Sequence, residues 1–356
     1  MKAIFRVTIM FLVAGSSVFA QSLSELRDSV TNLTSIPAVT GYEQPLISTI
    51  SGELKKHGFS PQVDNVSNLT VTIGSGKPHR LLIANVDEPG FIVSGVSSDG
   101  YLRMQRVGTA RPFAYFDQYF EGQRLTIRTD TGRTIPAVLA IPSTHLARGG
   151  SRGDHAFDLS DGYVDIGAKS AAEVANLGIR VLDPIAIEKT VTSLAQDQIS
   201  GPFVSDRAGA SVLLAILETT PASQINGSVT FAFTAQEHFQ RKGLERLTAR
   251  FEPDEVYIIE ALNLSQSAEM TANFRHSVAI DTQAAPAVRK MLDRFEGVRD
   301  ATLRSVPATP QWRSQTVVTR IAIPILFYAT PVEVLDLKNL QSTIRFLKAI
   351  VQFGPS

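Results

Sequence analysis

The 356-residue sequence contains no cysteine, so it has no disulfide, no thiolate metal ligand and no cysteine to carry a lipid anchor. Its 34 basic residues balance 34 acidic residues, and zero net charge argues against nucleic acid or an anionic membrane as the main partner. A His-Glu-x-x-His motif for a helix-borne zinc site is also missing. What remains, with 44% hydrophobic residues, is the composition of a globular protein of one large or two moderate domains.

The first 20 residues have the pattern of a secretory signal peptide. Lys2 and Arg6 lead into an apolar stretch that runs to about Val13, and Val18-Phe19-Ala20 supplies the small residues of a cleavage site. The stretch is shorter than the roughly 20 apolar residues of a transmembrane helix. We therefore expect an exported protein, periplasmic or secreted, whose mature chain begins near Gln21 and has no membrane span.

One predicted strand and the residues that directly follow it locate the candidate site. Residues Val229–Thr234 are apolar, β-branched or aromatic without a polar face, which is typical of a strand buried on both sides of a sheet. Glu237 and His238 follow where this strand should end, and open α/β sheets bind ligands at the carboxyl ends of their strands. The simpler alternative is that both residues are only polar members of a loop.

The residue pattern of the sequence changes between about residues 94 and 189. Short alternating strands with frequent glycine and proline predict an inserted, small β-barrel-like domain there. Strands and helices alternate on both sides of it, in residues 21–93 and 190–356. The predicted fold class is therefore α/β, a mixed and mostly parallel sheet between helices that joins Leu81–Ala84 to Val229–Thr234.

Polar residues recur just past several predicted strands and at the start of one predicted helix, namely Asn85, Asp87, Asp206, Glu237, His238 and Glu260. Carboxylates and imidazole that converge in this way can bind zinc or similar ions, and a further carboxylate can act as general base toward bound water. Two alternatives stay open. Carboxylates at strand ends are common in α/β proteins, and Ser205 or Asp206 could simply cap the helix that begins there.

Short motifs are spread in order over nearly the whole chain: Ile36-Pro37 with Gly41-Tyr42-Glu43, Asn68-Leu69, Val86-Asp87-Glu88-Pro89-Gly90-Phe91, Asp99-Gly100-Tyr101-Leu102, Tyr163–Ala168, Leu177–Val181, Asp183-Pro184, Ser205–Gly209, Phe233–Glu237 and Pro331-Val332-Glu333. In this order they resemble the dinuclear-metal aminopeptidases of the glutamyl-aminopeptidase and tetrahedral-aminopeptidase type, metallopeptidase family forty-two.

The resemblance implies roles for five residues. Glu237 matches the general base, and Asp87 matches the acidic residue of the motif that contains the first ligand, so both are candidate catalytic residues. Asp206 matches the ligand that bridges the two metal ions. His238 replaces a glutamate ligand, and Glu260 falls at or near an aspartate ligand.

Two further ligand positions of that family are lost. Asn85 and Ala329 stand where the resemblance implies histidines, and an amide oxygen is a weak ligand for zinc or cobalt while alanine offers none. Even neighbours of metal ligands typically contribute about 10–100-fold in affinity, so lost ligands should cost more. We therefore expect no metal, or one weakly bound zinc, cobalt or manganese ion on Asp206, His238 and Glu260.

These substitutions predict an exported member of the family that is catalytically impaired and binds a peptide or protein partner. The alternative is an active metal-dependent aminopeptidase that removes N-terminal residues at a reduced or rearranged metal site, with Glu237 as base. The resemblance also implies homo-oligomers formed through the inserted domain, which the sequence leaves open.

Overall fold

The computed structural model describes residues 21–108, 116–141, 156–274, 277–281, 286–301, 303, 312 and 315–355. The predicted signal peptide, residues 1–20, lies outside these ranges, so export stays a prediction. Within them, no helix is both long enough and apolar enough to cross a membrane.

Helices and strands alternate along the described chain. The α-helices are α1 Leu23–Thr34, α2 Gln44–Lys56, α3 Ala171–Asn176, α4 Ser205–Thr219, α5 Lys242–Arg250, α6 Ala268–Phe274, α7 Pro286–Met291 and α8 Leu337–Phe353. The strands are β1 Gln62–Val63, β2 Leu69–Gly74, β3 His79–Asn85, β4 Gly90–Val96, β5 Leu102–Val107, β6 Arg124–Arg128, β7 Thr134–Ala140, β8 Tyr163–Asp165, β9 Pro184–Ile187, β10 Thr192–Ser193, β11 Gln198–Gly201, β12 Ser228–Thr234, β13 Glu255–Asn263, β14 Val278–Asp281, β15 Val298–Ala301, β16 Val317–Leu326 and β17 Glu333–Asp336.

A mixed sheet forms the main domain. Its strand order is β1-β2-β12-β3-β13-β16-β17-β11-β10, and β14 and β15 join it through β16. The four central strands β12, β3, β13 and β16 are parallel, whereas the flanking pairs are antiparallel except for β14 with β15. The prediction of an α/β fold with a mixed sheet is confirmed, and so is the pairing of the two predicted central strands.

Strand β12 is buried at all seven positions, as its uninterrupted apolar run predicts. It pairs with β3 in parallel so that Thr234 lies opposite Asn85, and β13 pairs on the other side of β3 so that Ile259 lies opposite Ala84. The carboxyl ends of three adjacent strands therefore come together at one edge of the sheet.

Strand β13 is longer than the sequence predicts. It continues through Glu260 to Asn263, because it keeps its partner β16 after its pairing with β3 has ended. Strand β16 runs from Val317 to Leu326 and so includes the polar residue Arg320. Glu260 thus lies within a strand and has a neighbouring strand beside it, which matters for its contacts.

Helix α4 is buried along nearly its whole length, between the sheet and helices α1 and α8. Gly209 permits this close approach, because a Cβ atom there would lie 2.8 Å from Cβ of Ala84 on β3. The start of α4 is thereby held directly beside the strand ends.

The inserted domain is a closed barrel with the strand order β4-β5-β8-β7-β6-β9. Its strands run from Gly90 to Ile187, and it has a core of its own in which the rings of Phe91 and Phe120 meet edge to face at 5.0 Å. Gly90 starts the barrel where only glycine fits, since a Cβ atom there would lie 2.5 Å from Val39. The barrel is thus joined tightly to the main domain beside the end of β3.

Candidate functional site

The candidate site lies where β3, β12 and β13 end beside the first turn of α4. We use the name strand-end cluster for the charged side chains found there: Asp87, Asp206, Glu237, His238, Arg241, Glu260, Asp281 and Arg320. Five of them were predicted from the sequence. Arg241, Asp281 and Arg320 were not.

Asp87 fixes the chain that follows β12. It is fully buried, and its two carboxylate oxygens accept hydrogen bonds from the backbone N–H groups of Glu237 at 2.9 Å and of His238 at 3.0 Å. Burial raises the pKa of Asp87, although the nearby charge of His238 and these hydrogen bonds oppose the rise. Its contacts are those of a residue that positions Glu237 and His238.

Glu43 supports the same segment from the other side. This buried carboxylate accepts hydrogen bonds from the backbone N–H groups of Gly41 at 2.7 Å and of Gln236 at 3.0 Å. Gln236 has a φ of 58°, a left-handed conformation that is unusual without glycine. Two buried carboxylates therefore hold the turn that presents Glu237.

Asp206 and His238 form a pair inside the cluster. His238 Nε2 lies 3.1 Å from Oδ1 of Asp206, and the same oxygen accepts a hydrogen bond of 3.0 Å from the amide of Asn85. Burial opposes ionisation of both groups, but their mutual attraction outweighs it, raising the pKa of His238 to about 9 and lowering that of Asp206. The side chain of Asp206 thus pairs with another member of the cluster. The alternative role, a hydrogen-bonded side-chain cap at the start of α4, is not found.

Glu237 and Glu260 are each in contact with arginine. Glu237 Oε1 lies 2.6 Å from Nε of Arg241, whose Nη2 lies 3.6 Å from Oε2 of Glu260. The other oxygen of Glu260 is in contact with Arg320, which also lies 3.5 Å from Asp281. Burial raises the pKa of Glu237 to about 7 in spite of Arg241, because Asp87 and Glu260 add further negative charge.

The loop that carries Ala329 is held without that residue's side chain. The N–H of Ala329 donates a 2.6 Å hydrogen bond to Glu333, which also accepts from the backbone and hydroxyl of Ser205 at the start of α4. Burial, together with the charge of Asp206, raises the pKa of Glu333 to about 8. Glu333 therefore holds the loop that carries Ala329 against the start of α4.

The donors do not fit a two-metal centre. Asn85 uses its amide to donate to Asp206, Ala329 has no donor atom in its side chain, and Glu260 is engaged by arginines. In the part of the chain that the structure describes, no group of three or more His, Asp or Glu side chains is arranged to hold a metal ion. One weakly held ion on Asp206, His238 and Glu260 would require these side chains to rearrange, and it stays a prediction.

A sequence family agrees with the fold. Residues 67–295 match the family model of the M42 glutamyl aminopeptidases, and the chain belongs to this family. The resemblance found in the sequence motifs is thereby confirmed.

Individual relatives are distant. A glutamyl aminopeptidase from Lactococcus lactis is 30% identical over 66% of each chain. A lysyl aminopeptidase from Pyrococcus furiosus is 21% identical over 89% of this chain and 94% of its own. The solved structure of the Pyrococcus horikoshii TET1 peptidase superposes with a TM-score of 0.81, 23% identity and coverage of 92% of this chain and 99% of that chain. At this identity the structural likeness establishes the fold.

Of the residues that the sequence reasoning missed, one had a visible signal. Arg241 lies four residues after Glu237, a spacing at which side chains can pair when the chain turns. Arg320 and Asp281 had none, because their roles depend on strand pairing that the sequence does not display.

The pKa of Glu43 generates a prediction about stability. Burial, together with Asp87, raises this pKa from 4.5 to about 7. A raised folded-state pKa means that the stability contribution is complete below about pH 4.5 and is lost as the pH rises through about 7. We expect the free energy of unfolding of the wild type, relative to Glu43→Gln, to fall by about 2–3 kcal/mol between pH 4.5 and 8.

Urea unfolding at several pH values measures this difference. Glu53→Gln is the control, because Glu53 is half exposed and pairs with Lys56 in the next turn of its helix. Parallel pH profiles for the wild type and Glu43→Gln would contradict the expectation.

Proposed function

We propose that the chain binds the amino-terminal end of peptides at the strand-end cluster and has lost the two-metal hydrolysis of its family. The carrying observation is the grouping of carboxylates at the strand ends. Among the described residues, Asp87, Asp206, Glu237, Glu260 and Asp281 lie in one cluster with His238, Arg241 and Arg320.

These carboxylates suit an ammonium group. Burial raises the pKa of Glu237 to about 7 even beside Arg241, so a further positive charge next to this carboxyl would favour its ionised form. A peptide α-ammonium would supply such a charge. The side chains of Glu237 and Glu260 are 22% and 17% exposed, so a ligand can reach them from solvent.

Family membership supports a peptide as the ligand. The relatives described above are named for glutamyl and lysyl aminopeptidase activity, and both activities require recognition of a free amino terminus. Two exposed apolar side chains lie near site residues in the sequence. Phe239 directly follows His238, and Phe327 lies two residues before Ala329. They could contact the side chains of a bound peptide, whose sequence preference the site does not define.

Calorimetric titration with tripeptides tests the proposal. We expect peptides with a free amino terminus to bind, N-acetylated copies to bind at least about tenfold more weakly, and Glu237→Gln to weaken binding roughly ten- to a hundredfold. Glu245→Gln is the matched control, because Glu245 lies in the following helix and pairs with exposed Lys242. Equal affinity for free and acetylated peptides would refute an amino-terminal site.

An active aminopeptidase is the second candidate. Taken alone, the comparisons favour it over the first, since the relatives are named aminopeptidases, and Glu237 keeps the base position with a pKa of about 7, suited to proton transfer near neutral pH. Hydrolysis of aminoacyl substrates with added zinc, cobalt or manganese separates the two. If the chain only binds peptides, we expect no turnover above that of a sample without protein. Metal-dependent turnover that disappears in Glu237→Gln would establish the second.

We propose further that the chain forms homo-oligomers. The support is the similarity to the Pyrococcus horikoshii TET1 peptidase, described as able to assemble into a tetrahedron or a large octahedral shell. Light scattering of the purified protein should give a mass that is a multiple of one chain. A single-chain mass at every concentration would contradict this assembly.

Export is proposed from the amino-terminal pattern of Lys2, Arg6 and the apolar stretch that follows. Intact mass of the protein recovered from a native-type host should place the mature amino terminus near Gln21. A chain that retains residues 1–20 would argue against cleavage.

A further inference from the structure

Two arginines form ion pairs with carboxylates of the strand-end cluster. Arg241 lies between Glu237 and Glu260, with nitrogen–oxygen distances of 2.6 and 3.6 Å. Arg320 lies between Glu260 and Asp281. Each oxygen of Glu260 therefore faces a different guanidinium group, and positive and negative side chains alternate from Glu237 to Asp281.

Different parts of the fold place the two arginines. Arg320 lies opposite Ile258 in the pairing of β16 with β13, so Glu260, two residues further on, projects from the same face of the sheet within reach of it. Arg241 precedes α5 with a φ of 57°, and this left-handed turn directs it back toward Glu237. Their side chains are 15% and 11% exposed, so solvent screens these pairs only in part.

These pairs compete with a metal ion for the same oxygens. A guanidinium group keeps its charge at any physiological pH and cannot dissociate from the chain as a metal ion can. A divalent ion bound to Glu260 would have to displace at least one arginine and leave a mostly buried positive charge without its partner, which is costly. Removal of one arginine would do the opposite and leave its carboxylates in need of a cation.

We propose that Arg241 and Arg320 are the resident cations of the strand-end cluster, and that their contacts with Glu237, Glu260 and Asp281 exclude divalent metal from it. The inference deepens the proposed function, with which it shares the site. It assigns to the chain's own side chains the charge that metal ions would otherwise contribute, so peptide binding needs no added metal.

Calorimetric titration with zinc and with manganese, paired with metal analysis of protein purified without chelators, tests the proposal. We expect the wild type to hold little metal. Arg320→Met and Arg241→Met should each bind zinc at least about tenfold more tightly than the wild type, an effect of the size that neighbours of metal ligands exert. Arg124→Met is the matched control, because Arg124 forms an exposed ion pair at 3.8 Å with Glu188 on the barrel.

Arg320→Lys separates charge from shape. It keeps the positive charge and should bind zinc as weakly as the wild type, whereas a purely steric role would make it resemble Arg320→Met. Thermal unfolding with and without zinc checks that each variant folds, and zinc should raise the melting temperature of the methionine variants only. If Arg320→Met does not fold, Arg241→Met and Arg320→Lys still decide the question.

Two results would overturn the inference. One is about two tightly held metal ions per wild-type chain, and the other is zinc affinity unchanged in both methionine variants. Failure of amino-terminal binding looks different, because it appears as peptide affinity of the wild type that is indifferent to N-acetylation. Amino-terminal binding can therefore fail while metal exclusion stands, and unchanged zinc affinity in both methionine variants would overturn metal exclusion alone.

Discussion

Two adjacent buried carboxylates after β3, Asp87 and Glu88, join the parts of this molecule. Asp87 accepts hydrogen bonds from the backbone N–H groups of Glu237 and His238 and thereby orients both residues. Glu88 contacts Arg207 on α4 and lies 2.7 Å from Lys189, where the chain returns from the barrel. Removing one partner of such a buried pair typically costs about 3–5 kcal/mol, because it leaves a charge without compensation. This dipeptide thus links the turn after β12, helix α4 and the chain that leaves the barrel.

The residues that maintain the site are distinct from those that would bind metal. Asn68 accepts from the N–H of Ala235 and donates to the carbonyl of Gly243, which fixes both ends of the loop after β12. Glu333 joins the Ala329 loop to the start of α4 through backbone groups. Because these contacts involve mainly the backbone, they are unaffected by the identity of side chains at positions 85, 238 or 329. The fold can therefore persist while the donor set changes.

The sequence was sufficient to predict the central strands of the sheet. It was insufficient to predict the ion pairs at their ends. The apolar runs of β3 and β12 identify buried strands, and their exits locate the site because parallel strands end at the same edge. Glu260 was expected after its strand, yet β13 continues past it, because β16 still pairs with it there. Arg320 was missed because it is a polar residue within β16, and the sequence does not display which strand pairs beside it. The partners of Asp87 lie 150 and 151 residues further along the chain, so no local pattern could reveal them.

Family membership and site chemistry carry different information. Asp87, Glu88, Gly90 and Gly209 lie in the motifs that resemble the aminopeptidases, and in this structure they fix loops or permit close packing. Similarity carried by such residues specifies where three strand ends and a helix meet, and it leaves open which cation occupies that place, since one fold supports many chemistries. Here the contacts answer that second question. Glu260, the carboxylate nearest the middle of the cluster's ion pairs, has a guanidinium on each oxygen. The proposed peptide binding therefore depends on whether an ammonium group can contact Glu237 without displacing those arginines.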